Sequence, residues 1–98
     1  MAALNLPPRI TLDEARNVLD QLGAALSALP GDSAVVELDA STLVQFDSSA
    51  LGVLVGLHRR AAQAGRVCRL VGMPSRLTEL ARLYGVGELV ASGAQDAA

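Results

Sequence analysis

Residues 46–56 read FDSSALGVLVG. An acid and two hydroxyls stand directly before a run with almost no polarity, and that abrupt change is how a helix begins. A short polar side chain accepts one of the orphaned amides of the first turn, and an apolar face follows. Asp47 is therefore the expected N-cap, with Ser48 and Ser49 at the first two helical positions. Gly65 stands where the segment should end, at a place that commonly needs a left-handed residue. Within the helix Leu51, Leu54, His58 and Ala61 share one face, and Gly52, Gly56, Arg59 and Arg60 lie on or near the opposite one. Two glycines inside a helix cost roughly 1 kcal/mol each relative to alanine. Either they let a neighbouring element of the same domain approach closely, or they leave room for something outside it. The head of the helix poses the same choice: a plain cap, or a contact site that a charge on Ser48 would switch, since the amides and dipole there favour an anion while Asp47 repels one.

The flanking segments fix the context of this helix. Thr11-Leu-Asp-Glu14 has the spacing of a capping box, and Leu12, Ala15, Val18, Leu19, Leu22, Leu26 and Leu29 then recur at helical steps until Pro30-Gly31. Residues 2–10, broken by Pro7 and Pro8, read as an edge strand or a minimal hairpin. Ala34 to Leu38 is a short apolar run that suits a buried strand, Val44 to Phe46 a second extended piece, and Arg66 to Val71 a third. Pro74-Ser75 opens a further helix with Leu77, Leu80, Ala81 and Tyr84 on one face, and Leu89-Val90 would be a last strand. Strands alternating with helices predict an α/β domain with a partly parallel, mixed sheet, because parallel neighbours need crossovers. With about three helices, most should lie on one face of the sheet and leave the other poorly covered. The 98 residues suffice for one domain, with an ordered core over about residues 3–91 and a short frayed tail.

Composition excludes several functions. The chain is 51% hydrophobic with one Phe, one Tyr and no Trp, so its core is built from Leu, Val and Ala. Its longest apolar run, Ala50 to Leu57, is far short of the roughly twenty residues that span a bilayer, and no secretory signal pattern opens the chain, which points to a cytoplasmic protein without direct membrane insertion. A single cysteine, Cys68, supports neither a disulfide framework nor a structural zinc site, and reads as core. The net charge of −2 conceals an acidic first half and a basic second half, where six arginines face Glu79, Glu88 and Asp96. Scattered arginines without lysine, and with one ring among them, do not make a nucleic-acid surface; they read as solvated helix or as a docking face for an acidic partner. No GxxxxGK[ST] phosphate loop is present. His58 lies ten residues past Ser48, about 15 Å along a helix, too far to serve it as a base. Neither a catalytic residue, a cofactor nor a metal is expected.

Asp47-Ser48-Ser49-Ala50-Leu51, following Val35 to Asp39 and preceding Arg66 to Gly72, resembles the STAS domain family of anti-sigma-factor antagonists and transporter-associated modules, over nearly the whole chain. That family places Asp, Ser or Thr, a small residue and then Gly-Leu at the start of its second helix; here Ala50 replaces the glycine. The resemblance implies one of two partners. In one branch the domain is the cytoplasmic subunit of an Mla-type ABC phospholipid transporter, peripheral to the inner membrane, where it docks on the ATPase subunit of a complex that maintains outer-membrane lipid asymmetry. In the other it is an anti-sigma-factor antagonist whose serine, here Ser48, is phosphorylated by an anti-sigma-factor kinase. Residues 80–89 look like the third helix and following turn of the Mla-type subunit, which makes that branch the preferred one. The implied partner-binding or regulatory residues are Asp47, Ser48, Ser49, Gly52, Val55, Gly56, Arg59 and Tyr84, with Ser48 the candidate phosphorylation site.

Overall fold

The computed structural model describes residues 2–85. The strand expected at Leu89-Val90 and the chain's tail lie outside them. Within them the chain runs β1 (Ala2–Asn5), β2 (Arg9–Ile10), α1 (Leu12–Ser27), β3 (Val35–Asp39), β4 (Gln45–Phe46), α2 (Ser49–Gln63), β5 (Val67–Val71) and α3 (Ser75–Leu83). The main sheet has the order β1-β3-β5, and β2 pairs separately with β4. Every pairing among the described residues is parallel, and the main sheet aligns Leu4, Leu38 and Leu70 across its three strands. The helices α1 and α2 supply the crossovers that parallel neighbours require.

The N-terminal segment is an edge strand, as one of the two readings had it, and not a hairpin. Leu6 N–H still donates to the Asp39 carbonyl at 2.9 Å, continuing the first ladder. The two prolines then interrupt donation, and the Pro8 carbonyl instead accepts from Val44 and Gln45, at 2.9 and 3.0 Å, to begin the second. Pro7-Pro8 thus marks where the chain leaves one sheet for the other.

Alternation along the strands sets the layers. Val36, Leu38, Cys68 and Leu70 are buried, whereas Val35, Glu37, Asp39, Arg69 and Val71 are half-buried and Val67 is exposed. The buried face carries α2, whose Leu57 carbonyl lies 3.9 Å from the Cys68 sulfur, and α1 packs beside α2 over β1 and β2. The opposite face is only partly covered among the described residues. Burial pushes the Cys68 thiol pKa up, as for a core residue.

Thr11 and Glu14 form the expected capping box, with Glu14 Oε1 accepting from the Thr11 amide at 2.8 Å and its hydroxyl at 2.6 Å. Val18 and Leu26 bury the predicted face of α1. Leu12 does not belong to that face: it is 78% exposed, because the first turn of α1 overhangs the core. Beyond α1, the Arg66 guanidinium donates to the carbonyls of Leu29, Pro30 and Ser33 at 2.9, 3.0 and 2.9 Å, tying the helix exit to the start of β5. Gly65, at φ 73°, has the left-handed conformation expected after α2. In α3, Leu77 and Ala81 are buried, but Tyr84 is 59% exposed and so does not share their face as the sequence suggested.

Candidate functional site

The head of α2 is organised by Asp47. Its Oδ1 accepts from the Ser49 amide at 2.9 Å and from the Ser49 hydroxyl, and its Oδ2 accepts at 3.1 Å from the amide of Leu12, the first residue of α1. One carboxylate therefore satisfies orphaned amides at the N-termini of two helices and sits at the positive end of both dipoles. The Ser49 hydroxyl first, then the Ser49 and Leu12 amides, hold the Asp47 carboxyl below the ordinary aspartate range, so it is ionised at neutral pH. Regular helical bonding begins at Ser49, one residue later than expected, although Ser48 already has helical dihedrals of φ −63° and ψ −18°.

This arrangement separates the two serines. Ser49 is half-buried and its hydroxyl is committed to Asp47. Ser48 is exposed, and its hydroxyl has no hydrogen-bond partner among the described residues. Asp47 and Ser49 thus build the turn, and Ser48 is the group left available on it.

The two helix glycines also part company. A Cβ on Gly56 would lie 2.9 Å from Leu19 Cδ1, so Gly56 admits α1 to the surface of α2, the internal one of the two readings. Gly23 does the converse in α1, where the Arg60 guanidinium occupies the space a side chain would fill and reaches Asp20 at 3.7 Å. Among the described residues, nothing lies within 4 Å of a carbon added at Gly52. Spacings of four, three and four residues place Ser48, Gly52, Val55 and Arg59 in one stripe along α2. Gly52 and Arg59 are exposed in that stripe, and Val55 is half-buried.

Three neighbours of this turn were not singled out from the sequence. Leu12, whose amide rests on Asp47, and Val44, two residues before Phe46, are 78% and 77% exposed. The Arg76 guanidinium, from the first turn of α3, stands 5.9 Å from the centre of the Phe46 ring. Helical periodicity assigns Leu12 to the core because it does not show where the core stops at a helix end, and Arg76 comes to the site only through the tertiary packing of α3. Tyr84 lies eight residues beyond Arg76, about 12 Å along the helix from that contact. Gly56 is turned to Leu19 of α1 and Arg59 lies about 16 Å along α2 from Ser48, so of the expected residues these two and Tyr84 do not border the head of α2.

These features define a small α/β domain, with helices on one face of a parallel sheet, that presents an acid-capped serine at the head of its second helix. The chain belongs to the STAS family: the family described as "Mlab, STAS domain" matches residues 2–91. It is 33% identical over 72 residues to the intermembrane phospholipid transport system binding protein MlaB of Haemophilus influenzae, covering 74% of this chain and 69% of that protein. Its fold is similar to that of the anti-sigma factor antagonist SpoIIAA in its unphosphorylated form, with a TM-score of 0.67 at 15% identity over 87% of this chain and 72% of the other. Among the described residues, no helix is long and apolar enough to cross a membrane.

Proposed function

We propose that this protein is a non-catalytic, cytoplasmic accessory subunit that binds the ATPase subunit of an Mla-type ABC phospholipid transporter through the head of α2, and stabilises or regulates it there. The phospholipid-transport assignment is supported by the relative named MlaB, which matches over most of both chains. The antagonist reading shares the fold, but a 15% identical neighbour supports the fold alone. The docking site is supported chiefly by one observation: Gly52 is exposed in a helix interior, with no neighbour among the described residues that requires a glycine there, one turn from an exposed Ser48 hydroxyl that has no partner among them. A glycine costs helix stability, and an open helix surface beside a free hydroxyl gives a partner's backbone room to come close. A negative charge at Ser48 would then be desolvated beside Asp47 in the contact, which weakens binding, while the same charge in isolation suits the helix dipole. The chain's own residues do no bond-breaking in this reading; they position a surface.

Co-purification of Ser48→Ala and Ser48→Glu with the ATPase subunit, alongside circular dichroism of each variant alone, tests the proposal. Both variants should fold as wild type does. Ser48→Glu should bind at least tenfold more weakly, about 1.4 kcal/mol. A folded Ser48→Glu that retains the ATPase as well as wild type would make Ser48 a mere part of a helix cap.

A further inference from the structure

Three side chains at the head of α2 are placed at some cost to the isolated domain. Single exposed apolar residues are ordinary, but Leu12 and Val44, exposed to 78% and 77%, flank the same turn from two different segments. Leu12 is tied to it through Asp47, and Val44 immediately precedes β4, two residues before Phe46. Arg76 is the more telling residue. It is the second residue of α3, where the helix dipole disfavours a cation, and no acid occupies that first turn. Arg76 takes part in neither the Arg9–Glu14 nor the Arg60–Asp20 ion pair. Its guanidinium is instead held over the Phe46 ring, two residues before Ser48. A guanidinium near a ring face keeps its N–H donors free for another partner, and its planar fork matches a carboxylate with two parallel hydrogen bonds.

We infer that the head of α2 accepts a partner segment presenting a carboxylate beside apolar side chains, with Leu12 and Val44 taking the apolar contacts and Arg76 the carboxylate, so that Arg76 determines which segment is accepted. The inference rests on the docking site proposed above and adds the chemistry of what docks. Asp47 stays ionised at this turn, so a carboxylate is accepted only where the Arg76 guanidinium meets it. Arg76 supplies orientation and encounter rate as well as affinity, which makes the contact sensitive to salt.

The test is a titration of the purified ATPase subunit with wild type, Arg76→Glu, Arg76→Lys, Leu12→Ser, Val44→Ser and Ser48→Glu, at low and at moderate salt, with circular dichroism on each variant. All should fold, since the substituted side chains are exposed and a glutamate in the first turn of α3 suits its dipole. Arg76→Glu should lose at least tenfold in affinity and most of the salt dependence. Arg76→Lys should fall between it and wild type, and each serine variant should lose severalfold. If Ser48→Glu weakens binding while Arg76→Glu and both serine variants bind as wild type does, the inference fails and the docking site stands. If wild type does not bind, or no substitution matters, both fail. Sedimentation with phosphatidylglycerol vesicles closes the other route: retention of wild type but not Arg76→Glu would assign the cation to a membrane and overturn the protein-segment reading.

Discussion

Replacing Gly52 with alanine should make the isolated domain more stable and its complex weaker. An alanine in an exposed helix interior is favoured over glycine by roughly 0.5–1 kcal/mol, largely because the unfolded chain has fewer conformations to lose. Nothing among the described residues subtracts from that gain: the added carbon meets none of their atoms within 4 Å, and Gly52 is not among the glycines with positive φ. A change of 1 kcal/mol moves the melting temperature of a domain this size by about 4–8 °C, so a rise of several degrees is expected. Gly56→Ala is the paired control. It has the same propensity gain, but its Cβ would sit 2.9 and 3.1 Å from the two Leu19 methyls. Overpacking of this kind costs about 1–3 kcal/mol, less where a side-chain tip can rotate away. Gly56→Ala should therefore gain less than Gly52→Ala or lose stability. Urea denaturation followed by circular dichroism gives both values, and titration with the ATPase subunit gives the binding. A Gly52→Ala protein that melts at or below wild type would refute the exposed assignment of this helix face. One that is stabilised and binds undiminished would refute the claim that the bare surface serves a partner.

Leu57→Ala, at a site with 0% exposure in the centre of the core, should cost about 2–5 kcal/mol, read as a lowered urea midpoint; a change under 1 kcal/mol would mean that α2 does not carry the core. Acid should destabilise the domain. Asp47, Asp39 and Glu14 all have carboxyl pKa values lowered in the fold, by hydrogen bonds from Ser49, Ser41 and Thr11 respectively. Because the folded values lie below the unfolded ones of about 4, their contribution is fully present above that pH and is lost as pH falls through the folded values. The melting temperature should be flat near neutrality and drop below about pH 4, and Asp47→Asn should make that drop shallower; an unchanged acid limb would remove Asp47 from its capping role.

What the sequence made legible was local. The Thr11–Glu14 box, the α1 stripe through Val18 and Leu26, the strands around Val36 and Cys68, and the left-handed Gly65 each follow from a few neighbouring residues whose hydrogen bonds or periodicity admit one arrangement. Asp47 was recognisable as a cap for α2. Its second bond, to Leu12 thirty-five residues away, was not, because nothing near Asp47 encodes the meeting of two helix ends. Gly52 and Gly56 are alike in sequence context, and only the packing of Leu19 against α2 distinguishes them. The same reason kept Arg76 from view: its approach to Phe46 is set by how α3 returns to the domain. The misplacing of Tyr84 and Leu12 on buried faces has the opposite cause. Periodicity was extended to helix ends, where the core no longer reaches.

Amide hydrogen exchange of the protein alone and in complex with the ATPase subunit tests the central claim without altering a residue. Slower exchange on binding is expected at residues 47–56 and at the neighbouring first turns of α1 and α3, with little change in β3 and β5, whose outer face is the other open surface among the described residues. Protection confined to the β3 and β5 strands, with the amides after Asp47 exchanging as they do in the free protein, would contradict it.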